Sequence, residues 1–156
     1  MSIYDKLNRT NQLSLIQDIM DHYGIHANIK FVSGKLFESA YFRKKYSRKK
    51  RISNKGRISN NPRHESSEVT YAEYLFDTGD ILLNSAELGN KRDFLLTVLH
   101  ELKHVEQSNS IGKYEFQNKY TKHMDAMESS GLDGYDTNPY EIEAEAWAKQ
   151  ELSKWL

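Results

Sequence analysis

NKRDFLLTVLHELKHVEQ, at residues 90–107, is the stretch of this chain that decides its fold, because it predicts a buried helix carrying two histidines. Asn90 is a good N-cap residue, and Asp93 follows three residues later in a capping-box-like arrangement. Apolar side chains occupy nearly every side of the helix, as is typical of a buried element. They are Phe94, Leu95, Leu96, Val98, Leu99, Leu102 and Val105. We predict a helix from about residue 91 to residue 108.

Within this helix, His100-Glu101-Leu102-Lys103-His104 has the spacing H-E-x-x-H. Residues four apart lie on the same helix face, so both imidazoles can reach one ion, with Glu101 beside them. Two buried imidazoles and a carboxylate in one turn require either a cation or a dense hydrogen-bond network. The alternative is a solvent-facing helix, which the apolar surroundings disfavour. The pattern therefore predicts a metal site.

Composition limits the class of protein further. A chain of 156 residues suits one domain, residues 1–156, and its formal net charge of zero gives no global attraction to nucleic acid or membrane. The absence of cysteine excludes disulfides and Cys-ligated zinc, which leaves His, Asp and Glu as ligands. No signal peptide and no apolar run near about 18 residues is found. We expect a soluble, cytoplasmic protein without a membrane partner.

The remaining sequence patterns predict an α+β domain with a small, mostly antiparallel sheet. A hairpin is indicated by two strand patterns separated by the turn sequence Asp77-Thr78-Gly79-Asp80. Asn138 and Pro139 are suited to the N-cap and first position of a final helix. The predicted elements are a helix at 11–23, strands at 25–31, 69–76 and 81–84, a helix through 116–127, a loop at 133–137 and the final helix.

The final helix contains candidates for a third metal ligand. Catalytic zinc usually has three protein ligands and one open position. Glu141 and Glu145 lie on the apolar stripe of this helix, whereas Glu143 lies off it. Burying two carboxylates is costly without a positive partner, which an ion and its histidines provide. Small residues, Ala144 and Ala148, would let this helix approach the histidine helix closely. The alternative is a solvated acidic helix face.

A basic segment at about residues 43–63 interrupts the pattern. From Arg43 to Arg57 there are nine Lys or Arg residues and no acidic residue. We predict a flexible insertion there. It forms either a charged surface loop or a contact with a phosphate backbone or an acidic substrate. The candidate contact residues are Arg43, Lys44, Lys45, Arg48, Lys49, Lys50 and Arg51.

Two signatures in the chain resemble those of zinc metallopeptidases. HELKH at 100–104, followed by EIEAEAWA at 141–148, is similar to the gluzincins, the zincin peptidases with a glutamate ligand. The ImmA/IrrE-like and HtpX-like peptidases are members with a comparable second signature. The resemblance implies a zincin-like fold in which His100, His104 and Glu141 bind one Zn²⁺. It also implies that Glu101 is the general base and that Glu145 orients a ligand histidine.

The activity implied by the resemblance is hydrolysis of peptide bonds in an intracellular protein substrate. Zinc would activate a water molecule, and Glu101 would take its proton and pass it to the leaving amine. We expect the strand at 81–84 to be an edge strand that pairs with the extended substrate. Tyr135, Tyr140 and His123 are the candidates for stabilising the oxyanion.

Other functions are left open by these patterns. In one alternative, a nucleic-acid-binding or regulatory protein keeps the zincin fold without catalysis and binds DNA or RNA through residues 43–57 in a salt-sensitive manner. SprT-like proteases, which act on DNA-associated proteins, share only H-E-x-x-H with this chain, and His123 would then be the third ligand. A metal-dependent hydrolase of non-peptide substrates is the remaining alternative.

Overall fold

The computed structural model describes residues 7–33, 71–85 and 88–156, which form five helices and a three-stranded sheet. The helices are α1 (Arg9–Tyr23), α2 (Lys91–Ile111), α3 (Lys113–Ser129), α4 (Gly134–Thr137) and α5 (Pro139–Glu151), and a 3₁₀ turn follows at Leu152–Lys154. The strands are β1 (Ile29–Val32), β2 (Ala72–Tyr74) and β3 (Ile81–Asn84). This mixture agrees with the predicted α+β class. The basic segment and all of its candidate contact residues lie outside the described ranges.

The order of the described strands is β1-β3-β2, which corrects two predictions. β2 pairs antiparallel with β3, as the predicted hairpin requires, but β1 pairs parallel with β3, so the sheet is mixed rather than mostly antiparallel. The strand at 81–84 is central among these three and is not an edge strand. All four of its residues are buried, as expected for a strand with neighbours on both sides. Apolar content predicts such burial but carries no information about strand order or direction.

The helix boundaries follow from their caps. Asn8, Asn90 and Asn138 each precede a helix, and each side-chain oxygen accepts a backbone N–H of the first turn, at 2.8, 3.0 and 3.0 Å. α1 ends at Gly24, whose φ of 67° is the left-handed conformation that glycine adopts without strain. The predicted helix starts at Asn90 and Asn138 are therefore confirmed, and α1 begins slightly earlier than expected.

Two shorter segments differ from the prediction. The expected loop at 133–137 contains α4, because the Asp133 carboxylate accepts the N–H groups of Tyr135 and Asp136 at 2.9 and 3.2 Å and so caps one helical turn. The expected strand at 25–31 is extended only from Ile29 onward. Ile25 is buried on irregular backbone, so an alternating apolar pattern can also arise where a loop covers the core.

Helix α2 lies at the centre of the hydrophobic core. Leu95, Leu99 and Leu102 are fully buried, and α2 packs against α5, on which Ala144 and Ala148 are also fully buried. The small side chains allow the close approach of the two helices that the sequence predicted. Among the described residues, no helix has both the length and the hydropathy needed to cross a lipid bilayer.

A polar contact joins the end of α1 to the end of α5. The Tyr23 hydroxyl donates to Glu151 Oε1 at 2.6 Å, and Lys154 Nζ donates to the same oxygen at 2.8 Å. The Trp155 indole N–H in turn donates to the Tyr23 hydroxyl at 3.1 Å. Hydrogen bonds from Lys154 and then from Tyr23 hold the pKa of Glu151 below its usual value of 4.5. The contact therefore stabilises the ionised carboxylate in the folded protein.

We expect the variant Tyr23→Phe to lower the free energy of unfolding by about 1–2 kcal/mol at neutral pH, because a hydrogen bond to a charged acceptor is lost. Since folding lowers the pKa of Glu151, its contribution is complete above the unfolded pKa and is lost as the pH falls through the folded pKa. The difference between wild type and variant should therefore shrink on acidification. Urea unfolding at neutral and acidic pH measures both values. A difference that stays constant with pH would contradict this account.

Candidate metal centre

Three side chains from two helices converge in the interior. His100 and His104 of α2 and Glu141 of α5 are all buried, and one potential ligand atom of each lies within 4.8 Å of the others. Glu141 Oε1 lies 2.8 Å from His100 Nε2 and 3.1 Å from His104 Nε2. The same carboxylate oxygen therefore faces both imidazoles. The structure brings together the three residues that the sequence singled out as ligands.

Helix geometry accounts for this convergence. His100 and His104 are one turn apart, and their ring centroids are 4.9 Å from each other. Glu141 is in the first turn of α5, where the unpaired backbone N–H groups favour a negative charge. Asn138 sets the start of that turn through its capping contact. The cap on one helix and the four-residue spacing on the other thus fix the position of all three side chains.

The outer faces of His100 and Glu141 also have polar partners. Glu145 Oε2 lies 3.1 Å from His100 Nδ1, although about half of the Glu145 side chain is exposed. The Tyr120 hydroxyl of α3 donates to Glu141 Oε2. With Oε2 engaged by Tyr120, Oε1 is the oxygen directed at the imidazoles. Both partners hold a candidate ligand in place, as groups around metal ligands commonly do.

The contact between His104 and Glu141 shows that the site fits a cation. His104 Nδ1 lies 2.8 Å from the side-chain oxygen of Gln107, an acceptor, so Nδ1 carries a proton. A neutral imidazole then directs its Nε2 lone pair at Glu141 Oε1, 3.1 Å away. Two acceptor atoms at this distance repel unless a proton or a metal ion lies between them. The donor set of two nitrogens and one carboxylate oxygen is one that metal ions use.

His100, Glu141 and Glu145 shift one another's pKa values through hydrogen bonds and charge. Burial by itself would lower the pKa of His100, but hydrogen bonds to Glu141 and Glu145 and the charges of Glu141 and Glu101 raise it to about 10. Burial likewise opposes ionisation of Glu141, yet its two histidine neighbours hold its pKa well below the usual value. Hydrogen bonding to His100 lowers the pKa of Glu145. Carboxylates therefore stay ionised here and require positive charge beside them.

Glu101 lies beside this cluster with one oxygen unsatisfied. Its side chain is 5% exposed, and Oε2 has no hydrogen-bond partner in the described part of the structure. Glu101 lines a small open pocket with a volume of about 10 Å³, room for about one water molecule. The other lining residues are Tyr74, Phe76, His104, Phe116, Tyr120 and Glu141. A buried, unpaired carboxylate oxygen is costly, which is the pattern of a group kept for function rather than for stability.

Aromatic rings form much of the cavity wall. Phe76 packs on Phe116 and Tyr120, with ring centroids 5.4 and 5.1 Å apart, and the Phe116 ring lies 6.0 Å from that of His104. Burial, and secondarily the charge of Glu101, raises the pKa of Tyr74, against the effect of a hydrogen bond to Ser108. These rings exclude bulk water from two sides of the site and so strengthen its charge interactions.

The residues proposed to stabilise the oxyanion do not form part of the cavity wall. Neither Tyr135, Tyr140 nor His123 lines the cavity, and His123 Nε2 instead contacts the Thr137 hydroxyl at 2.9 Å. The site also contains Tyr120 of α3, which the sequence patterns above do not single out. A signal was present, because a tyrosine hydroxyl within a core stripe needs a buried polar partner. The sequence did not say that this partner is Glu141.

No family model matches the chain, and neither a curated protein nor a solved structure matches it. The side chains of the site are therefore what indicates a function. These are a buried group that could hold a metal ion, a carboxylate beside it, and a cavity that both line.

Proposed function

We propose that this chain is a zinc-dependent peptidase with a zincin-like fold, in which His100, His104 and Glu141 bind zinc and Glu101 is the general base. The observation that carries the proposal is the unpartnered Glu101 Oε2, buried on the same cavity as His104 and Glu141. Two imidazole nitrogens with one carboxylate suit zinc, whereas calcium and magnesium prefer oxygen ligands alone. We include a zincin-like fold in the proposal because of the resemblance of the two signatures, and the order of hairpin, histidine helix and glutamate helix is compatible with it.

The chemistry follows from the position of each group. When bound, zinc supplies a Lewis acid that polarises a carbonyl and makes water more acidic. Glu101 takes a proton from the attacking water and returns it to the leaving nitrogen as the carbon–nitrogen bond breaks. No hydrogen bond within the described residues competes for Glu101 Oε2. Tyr120 keeps Glu141 oriented, and Glu145 does the same for His100.

We expect the purified protein to bind one zinc ion per chain and to cleave an unfolded protein such as reduced casein. Three ligands and an enclosed site favour stoichiometric binding, and an extended chain can reach a cleft that a folded one cannot. Metal analysis after dialysis and gel-based proteolysis measure the two properties. A chelator should abolish cleavage, and added zinc should restore it. Failure to bind zinc contradicts the metal centre, whereas zinc binding without hydrolysis of casein or a random peptide mixture contradicts the peptidase activity alone.

A further inference from the structure

Gln107 joins the two helices that carry the candidate ligands. It lies on α2, one turn after His104, and is buried, with 6% of its surface exposed. Its side-chain oxygen accepts from His104 Nδ1 at 2.8 Å. Its amide nitrogen donates to the Tyr140 carbonyl at 3.0 Å and to Glu143 Oε1 at 2.7 Å. One of these contacts is within the histidine helix, and the other two connect it to the N-terminal part of α5.

The orientation of this amide is fixed by its surroundings. The Tyr140 carbonyl and the Glu143 carboxylate can only accept hydrogen bonds, so the amide nitrogen must face them. The amide oxygen is therefore directed at His104, where it accepts the Nδ1 proton and leaves Nε2 as the metal-binding nitrogen. Two acceptors on α5 thus determine the tautomer of a histidine on α2.

The same contacts hold the turn that carries Glu141. Tyr140 and Glu143 flank Glu141 in the sequence, and both are bound by the one amide group. We propose that Gln107 is a positioning residue, which aligns His104 and Glu141 for a common ion. The inference rests on the proposed metal centre. It goes further because it names one side chain, Gln107, as the group that sets the relative position of the two ligand helices at the site.

The test compares Gln107→Leu with a control of equal burial. Gln12 on α1 is also 6% exposed, and its amide donates to the Leu88 carbonyl at 2.6 Å. Gln12→Leu therefore removes a comparable buried hydrogen bond without touching the site. We expect Gln107→Leu to weaken the binding of Zn²⁺ and Co²⁺ by about 10–100-fold, as loss of a group that orients a ligand typically does. Gln12→Leu should keep the wild-type affinity even if both variants lose similar stability.

A swapped pair distinguishes positioning from general packing. Gln107→Glu keeps an acceptor for His104 but sets a carboxylate against Tyr140 O and Glu143. Combining it with Glu143→Gln returns an amide donor to that contact, so the double variant should bind Co²⁺ more tightly than Gln107→Glu alone. The visible Co²⁺ absorption spectrum should shift in Gln107→Leu and return toward wild type in the double variant.

Each outcome has a distinct meaning. Wild-type protein that binds neither metal overturns the metal centre together with this inference. Wild-type protein that binds metal while Gln107→Leu is folded and has unchanged affinity and spectrum overturns the inference alone. Equal losses of affinity in Gln12→Leu and Gln107→Leu would also overturn it, because the effect would then follow stability. If Gln107→Leu does not fold, the swapped pair decides, and an absence of rescue overturns the proposal.

Discussion

Replacing Glu101 with glutamine should leave zinc bound and reduce peptide hydrolysis by about 10²- to 10⁴-fold, the usual contribution of a general base. The substitution keeps the size of the side chain but removes its ability to take a proton. Glu101 is not one of the three residues that converge on the candidate ion, so zinc affinity should not change. The measurements are kcat on a fluorogenic peptide and zinc stoichiometry for wild type and variant.

Stability provides an independent check on Glu101→Gln. Glu101 Oε2 is buried and unpartnered among the described residues, so Glu101→Gln breaks no hydrogen bond at that atom and the metal-free variant should fold with close to wild-type stability. Glu106→Gln is the matched control, because it makes the same change on α2 at a side chain that pairs with Lys103. The control should retain full activity. A Glu101→Gln enzyme with near wild-type kcat would contradict the assignment of the base.

Replacing Glu141 with glutamine should lower zinc affinity by more than about 100-fold, above the range for groups that only orient a ligand. An uncharged amide is a poor zinc ligand, and Glu141 Oε1 is the atom that faces both imidazoles. In the metal-free protein the change also removes the buried partner of His100. We expect the free energy of unfolding to fall by on the order of 3 kcal/mol, measured in chelator.

His123→Ala is the control for this loss of zinc. His123 is the third ligand in the alternative related to SprT-like proteases, and it contacts Thr137 rather than the histidine pair. The His123→Ala variant should bind zinc with wild-type affinity. If His123→Ala loses zinc and Glu141→Gln keeps it, the gluzincin-type assignment is wrong and the third ligand is a histidine.

The candidate ligands were predictable because the patterns that place them are local. His100 and His104 share a face through helix geometry alone. The apolar stripe of α5 excluded Glu143 but left both Glu141 and Glu145, and only the resemblance to gluzincins separated those two. Asn90 and Asn138 marked the helix starts. Each of these inferences needs only a few consecutive residues, which is why sequence is sufficient for them.

The partners of the ligands were not predictable in the same way. Tyr120 and Gln107 act across pairs of helices, so their roles depend on how α3 and α5 pack on α2. No periodicity encodes that packing. The contact of Glu143 was also not predictable from the sequence. Glu143 lies off the buried stripe, yet its carboxylate accepts a hydrogen bond from Gln107.

Strand order was the clearest error in the fold. Residues 81–83 are apolar and all of 81–84 are buried, but this pattern does not indicate the direction of the second neighbouring strand. β1 and β3 pair in parallel although residues 33–80 separate them in the sequence. The pattern of side chains indicates which residues of a strand are buried. The direction in which two strands pair depends instead on the path of the segment that connects them.

The order of the ligands along the chain has a consequence for biosynthesis. Glu141 follows His100 by 41 residues, and ribosomes add about 5–20 residues per second, so roughly 2–8 s separate their translation. Throughout that interval a nascent chain contains HELKH without its carboxylate partner. The candidate metal centre therefore lacks its third side chain until the final helix has been synthesised and has packed on the histidine helix.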